Sequence, residues 1–330
     1  MLQAQSNQKT AIYRLIAEAV VNGSLPEDFT LPKEEGNSRS TRTDGWFDGF
    51  QLLSVGIPKL NEEQLHQLAR VIETAATGAF ESAEEQLHLL YKNTHAMNVL
   101  QPALDYIHAH TSILSEDNLS IFAQILTTQS AFIECVKFGL ILLSTVKSGD
   151  TLKAIAYTLA LCDEFTYFSL LSLKDDNESV FELAKHVYCW GRAEAILVLQ
   201  ANREEIKKWL LLEGKTKTRS WDAEEELCVT DRFLKSGAAQ LLAPGNRLSR
   251  EEYSAIRDMF VVIAEASEPI DEKIANCSFY LQQFLKQTSY IEPTGEDMQA
   301  IERIRTSYAE QNKEPGIVYT CTRILEKQDG

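Results

Sequence analysis

Little in this 330-residue chain would break a helix or build a sheet. It holds only eight prolines and 15 glycines, and no proline occurs between Ala103 and Ala243. Proline ends or kinks a helix because it lacks an N–H and its ring strikes the preceding turn, so this stretch permits uninterrupted helices. Alternating apolar and polar runs joined by hairpin turns are also missing, which excludes a sheet protein. There is no CxxC pair, Gly-rich phosphate loop, G-x-S-x-G elbow, H-E-x-x-H or dinucleotide fingerprint. The local signatures of zinc, nucleotide and hydrolase chemistry are therefore lacking, and the sequence offers no catalytic residues, no metal ligands and no cofactor. The best candidate for a membrane span, Ala131 to Val146, contains Glu134 and Lys137 and is shorter than the ~20 residues a bilayer requires. It predicts a buried core helix. The opening MLQAQSNQKT has no basic stretch followed by an apolar one, so no secretory leader and a cytoplasmic location are expected.

Positive charge is scarce as well. Lys and Arg number 32 against 48 Asp and Glu, a formal net charge of −16. The excess is even, with 10 basic against 18 acidic residues in 1–150 and 22 against 30 in 151–330. Such a field repels phosphate backbones and anionic lipid, which disfavours nucleic acid and membranes as partners. A hydrophobic fraction of 44% excludes disorder as the dominant state. The six cysteines stand 27 to 49 residues apart, mostly in apolar runs, and read as reduced packing residues.

Helical periodicity is what the chain has in abundance. Ile12, Leu15, Ile16, Ala19 and Val20 follow the i, i+3, i+4, i+7, i+8 rule, and Ile274, Cys277, Ser278, Leu281, Phe284 and Leu285 repeat it. Short polar or glycine turns punctuate the proline-free stretch: Ser148-Gly149-Asp150, Asp175-Asp176-Asn177, Trp190-Gly191 and Ala201-Asn202. Helices of about 10 to 13 residues joined by such turns must pack antiparallel on their neighbours, so an all-α fold of stacked helical hairpins is expected. Unit starts at Asp150, Asn177 and Arg203 are 27 and 26 residues apart, with Cys162 and Cys189 read as ending the first helix of their units. Asn61-Glu-Glu-Gln-Leu-His66 returns as Ala83-Glu-Glu-Gln-Leu-His88, an offset of 22.

The run Trp190-Gly-Arg-Ala-Glu-Ala-Ile-Leu-Val-Leu199, continued by Glu205-Ile-Lys-Lys-Trp-Leu-Leu-Leu-Glu-Gly214, resembles the signature of HEAT-like helical-repeat proteins, among them uncharacterised bacterial ones. The likeness covers residues 150–215. It implies an α-solenoid, in which each unit buries its neighbour's face, and it brings no catalytic motif. Three regions are expected: residues 1–60, a helix with a long exposed loop from Gly23 to Asp44; residues 61–243, the helical-repeat core; and residues 244–330, C-terminal helices continuing the array after Pro244-Gly245. Ser249 with Glu252 marks a capping box at the start of the last region.

Several polar patterns invite a chemical reading. Glu63 with His66 and Glu85 with His88 have the i, i+3 spacing of di-iron helices. Helical phase sets His66 beside Arg70 and Glu73, and His88 beside Lys92, on polar faces away from the core. Asn61 with Gln64 and Ser82 with Glu85 instead have the spacing of helix N-caps. The turn Asp175-Asp176-Asn177-Glu178 resembles the aspartate-rich motif of terpenoid synthases, but Ser179 stands where the next carboxylate should be, and an N-cap explains it. His108 and His110, at i and i+2, diverge on a helix end.

One segment departs from the acidic average. Trp190, Arg192, Arg203, Lys207, Lys208, Trp209, Lys215, Lys217, Arg219 and Trp221 bring together three of the four tryptophans, and Arg203 to Arg219 holds six basic against three acidic residues. Trp and Arg dominate binding hot spots, which makes this the candidate binding patch. The expected function is a non-enzymatic helical scaffold that binds another protein, of adaptor or immunity type, with a basic partner favoured by charge. The alternatives are an all-α enzyme or small-molecule binder of terpenoid-synthase type, with a pocket between helices near Asp175 and the histidines, and a HEAT-like DNA-binding protein.

Overall fold

The computed structural model describes residues 10–32, 44–53, 57–147, 149–216, 223–266 and 270–327. Among the described residues every regular element is helical, and the only strand-like pairing is one bridge between Val21 and Ser24. The helices are, in order, α1 (Ile12–Ala19), α2 (Trp46–Leu53), α3 (Glu62–Ala76), α4 (Phe80–Leu90), α5 (Ala96–Ala109), α6 (Glu116–Gln129), α7 (Ile133–Leu143), α8 (Asp150–Ala160) and α9 (Asp163–Leu173). They continue with α10 (Asn177–His186), α11 (Cys189–Val198), α12 (Glu204–Leu212), α13 (Ala223–Lys235), α14 (Ala238–Leu241), α15 (Arg250–Glu265), α16 (Cys277–Gln287), α17 (Gly295–Glu310) and α18 (Pro315–Glu326). None is long and apolar enough to cross a membrane.

The chain forms two compact units, Met1–Val198 and Leu199–Gly330. Their division falls inside the stretch 61–243 that reads as one core in the sequence. In the first unit, α3 with α4, α6 with α7, α8 with α9 and α10 with α11 pack as neighbouring pairs across short turns. Local chemistry fixes the helix starts. Asn61 accepts from the Gln64 N–H while its own N–H donates to the Gln64 side chain, both at 2.9 Å, so α3 begins with a capping box. Asp176 caps α10 through the Ser179 N–H. Ser82 does not cap: α4 already starts at Phe80, and the Ser82 hydroxyl meets the Gln86 side chain instead. Cys162 and Cys189 stand at the starts of α9 and α11 rather than ending the helices before them, because Leu161 and Val187 have already left α8 and α10.

Helix α7 is the axis of the first unit's core, and every residue from Cys135 to Leu143 is buried. A helix apolar on all sides must be enclosed on all sides. Its approach to α6 is close because Gly139 has no side chain: a Cβ there would stand 2.8 Å from Thr127 Cγ2 and 3.1 Å from the Ala123 carbonyl oxygen. The α1 helix is docked by buried Ile12 and Ile16 and by the Ile12 N–H donating to the Ser130 carbonyl. Of the loop after it, residues 33–43 lie outside the described residues.

The second unit is built around α15, whose Tyr253, Ile256, Met259 and Phe260 join Leu211, Val229, Phe233 and Phe284 in one core. Ser249 and Glu252 form the expected capping box. The helices after Ser249 thus share their interior with α12 and α13. Thr294 starts α17 with a second box, in which buried Asp297 takes the Thr294 N–H, the Arg250 guanidinium and the Arg257 guanidinium. Burial alone would raise the Asp297 pKa, but the hydrogen bonds from Arg250, Thr294 and Arg257 outweigh it and hold the carboxyl at about 2.

Two outcomes follow from this packing. Gly139→Val should destabilise the protein by about 2 kcal/mol in denaturant unfolding, since neither the Thr127 methyl nor the Ala123 carbonyl can retreat without moving α6. Asp297→Ala should cost about 3 kcal/mol at pH 7, and less in acid. The folded-state pKa of Asp297 is depressed, so its contribution is present above the ordinary carboxylate range and lost as pH falls toward 2.

Candidate functional site

The predicted binding patch is divided between the two units. Trp190 and Arg192 open α11 in the first, and the others lie on or after the approach to α12 in the second. Trp190 is buried, and its ring covers Gly49 of α2, where a Cβ would stand 2.0 Å from the indole. Arg192 is buried, and its guanidinium donates to the Val187 and Lys185 carbonyls, closing the turn between α10 and α11. Trp209 is buried in α12. These three are interior residues, because α11 is covered from Cys189 to Ile196 and the apolar face of α12 turns inward. Arg203, Lys208 and Lys215 are exposed and Lys207 is half-buried. Lys207 pairs with Glu204, and Lys215 lies 3.5 Å from Asp258. Lys217, Arg219 and Trp221 lie outside the described residues.

The structure instead gathers charge where the sequence is most apolar. Lys137, in the middle of α7, has no exposed surface. Its ammonium is paired with Asp48 of α2 and Glu164 of α9, and it lies 5.4 Å from the Phe168 ring centroid. The second Glu164 oxygen accepts the Gly45 N–H at 2.8 Å. Gly45 can turn there because it takes φ +76°, with its Cα hydrogen side against the Asp163 carbonyl, where a Cβ would be 2.7 Å away. A buried lysine needs this environment, since an unpaired ammonium in the core would lose several kcal/mol of hydration.

A third carboxyl completes the cluster. Glu194 of α11 is buried, and among the described residues neither of its carboxyl oxygens has a hydrogen-bond partner. Burial drives its pKa well above the usual value, and the negative charges of Asp48, Asp163 and Glu164 add to the effect against the attraction of Lys137. Asp48 is shifted upward for the same first reason, with Lys137 opposing and Glu164 and Glu134 reinforcing. Burial also raises the Tyr167 phenol, helped by Glu194 and Asp48. One ammonium facing several carboxylates leaves a local excess of negative charge, which the cluster relieves by holding protons. Among the described residues, no group of three His, Cys, Asp or Glu side chains is placed to hold a metal ion.

The histidines divide. His66 is exposed on its polar face, and His110 stacks on Tyr106 with ring centroids 4.1 Å apart at the end of α5. His88 does not point away from the core: it is half-buried and turned toward α7, with its ring edge-on to Phe132. Its carboxylate neighbour is Glu84, one turn back on α4, rather than Glu85. Asp175 is exposed in its turn. Lys137 carried a signal in the sequence, a lone cation in a run of apolar residues that has to find carboxylates somewhere. Glu194 carried none.

No protein-family model matches this chain, and no curated protein or solved structure matches it.

Asp48 and Glu194 fix the sign of a pH response in this cluster. Their folded-state pKa values are raised, so the folded cluster binds protons more tightly than the unfolded chain does, and stability falls as pH rises through those values. Protection of α9 and α11 amides in hydrogen exchange should therefore increase from pH 8 to pH 5. Glu194→Gln should raise it at pH 8 by about 1 to 2 kcal/mol and flatten the response, because the amide needs no proton to stay neutral.

Proposed function

We propose that the protein is a helical-hairpin scaffold of HEAT-like type whose task is to bind another protein, and that the partner is basic. The observation that carries this reading is the outer face of the α3–α4 hairpin. Glu62 and Glu63 in the first turn of α3, and Glu81 and Glu85 on α4, are all exposed. Exposed among them are two large apolar side chains, Leu65 (43%) and Leu89 (58%). Glu81, Glu85 and Leu89 stand at i, i+4 and i+8, so they line one stripe of α4. The tight turn at Thr77–Ala79 brings the first turn of α3 to the same end of the hairpin as the last turn of α4, and with it Leu65 to the end that holds Leu89.

Apolar anchors within an acidic surround suit protein recognition. The carboxylates speed encounter with a cationic surface, and the leucines supply area that is dehydrated only on binding. The net charge of −16 extends that attraction over the molecule. Single exposed leucines are common on any protein; Leu65 and Leu89 stand apart in sharing two helices with four exposed carboxylates.

The test uses the intact protein as bait in a native extract. A discrete basic protein should be captured at low salt, with retention declining toward 0.5 M salt as the Debye length shrinks below about 5 Å. The triple substitution Glu62→Lys, Glu81→Lys and Glu85→Lys changes only exposed positions and should reduce retention at least tenfold at unchanged melting temperature. Equal capture by the triple variant, or no captured protein, refutes the reading.

A further inference from the structure

Helix α7 carries a second polar arrangement, two residues before Lys137 and on another side of the helix from the buried ion cluster. Cys135 lies in its first turn, and the Sγ atom is 3.8 Å from Nδ1 of His88 on α4. On the other side of the imidazole, Nε2 is 3.9 Å from Glu84 Oε1. Thiol, imidazole and carboxylate thus stand in series, the order in which a sulfur nucleophile is deprotonated by a histidine that a carboxylate orients. Contacts of this kind tighten when a reacting partner is bound. Cys135 also stands in the first turn of α7, at the positive end of that helix.

A fourth group bears on the same atom. The Tyr91 hydroxyl, at the end of α4, is buried and has no hydrogen-bond partner among the described residues. Burial raises the Tyr91 pKa well above its usual value, and the nearby charges of Glu134 and Cys135 raise it further. The phenol therefore keeps its proton, as a donor within electrostatic reach of the sulfur. A buried hydroxyl left so forgoes a hydrogen bond, which an incoming oxygen would restore. The thiol itself is buried, but the ring it touches is not: the His88 side chain is 34% exposed and Phe132, edge-on to it, is 38% exposed.

We propose that Cys135, His88 and Glu84 form a nucleophilic thiol site that accepts an acyl group from an activated ester or thioester, with the Tyr91 hydroxyl stabilising the oxyanion. The thiol proton passes to His88 Nδ1 as sulfur bonds to the acyl carbon, and the carbonyl π pair moves onto oxygen, which accepts the Tyr91 hydrogen bond. When the carbonyl re-forms, the bond to the leaving alcohol or thiol breaks, and His88 returns the proton to it. Nothing is oxidised or reduced, and the product is an acyl thioester on Cys135. This reaction goes beyond the scaffold reading and stands on different residues, so either can fail without the other.

The test is acetylation of the intact folded protein by p-nitrophenyl acetate, followed as nitrophenolate release and mapped by mass spectrometry over all six cysteines, each of which is buried. Acetyl groups should accumulate on Cys135 at least tenfold faster than on Cys162 or Cys228, and Cys135→Ser should abolish the phase. His88→Gln should slow it at least tenfold and Tyr91→Phe several-fold, while all cysteines of these variants acetylate alike once denatured. If His88→Gln does not fold, Glu84→Gln, at a partly exposed position, decides: a severalfold slower phase supports the site. Acetylation of Cys135 no faster than of the other buried thiols, or a rate unaffected by Glu84→Gln and His88→Gln, overturns the proposal.

Discussion

The enclosure of one ammonium group organises the first unit. Lys137 sits at the centre of a helix with no solvent-facing side, so its charge must be met inside the protein. The two carboxylates that meet it come from α2 and α9, 89 and 27 residues away in the chain. Each is held by its own constraint. Asp48 arrives on a short helix that docks through Gly49 against the Trp190 ring, and Glu164 is fixed from behind by the Gly45 N–H. The ion pairs therefore specify which elements surround α7, while apolar packing supplies most of the stabilisation.

The two units handle buried acid in opposite ways. In the second, Asp297 is surrounded by donors, two guanidiniums and a backbone N–H, and its charge is stabilised despite burial. In the first, Glu194 has no donor among the described residues, and burial, reinforced by the charges of Asp48, Asp163 and Glu164 against that of Lys137, favours its neutral form. The sign of each pKa shift follows from the number of hydrogen bonds to the ionised form. Acid thus weakens one interior and relieves the other.

Helix α7 also links the two buried arrangements of the first unit. Cys135 and Lys137 are two residues apart and therefore face different neighbours, His88 on α4 and the carboxylates of α2 and α9. A fully enclosed helix can present a thiol to one partner and a cation to another, because every direction around it is occupied. On α3 and α4, by contrast, Glu62, Glu63, Glu81 and Glu85 are solvated and Leu65 and Leu89 are exposed.

The helices are written locally in the chain. Absent strand patterns, the proline-free stretch and the capping residues Asn61, Asp176 and Ser249 are local features that act within a turn or two, so they could be read directly. The burial of α7 was legible for the same reason, from an apolar run too short for a bilayer. Only the tertiary structure decided what the polar residues do. Trp190, Arg192 and Trp209 look like a binding patch in the chain and prove to be interior, since the side of a helix that faces inward depends on neighbours far away in sequence. His88 turned from an outward face to Cys135, 47 residues distant, and Glu194 acquired its buried, unpartnered state from the packing of α11. Periodicity records how often a chain turns, whereas electrostatic surroundings depend on which turns are brought together.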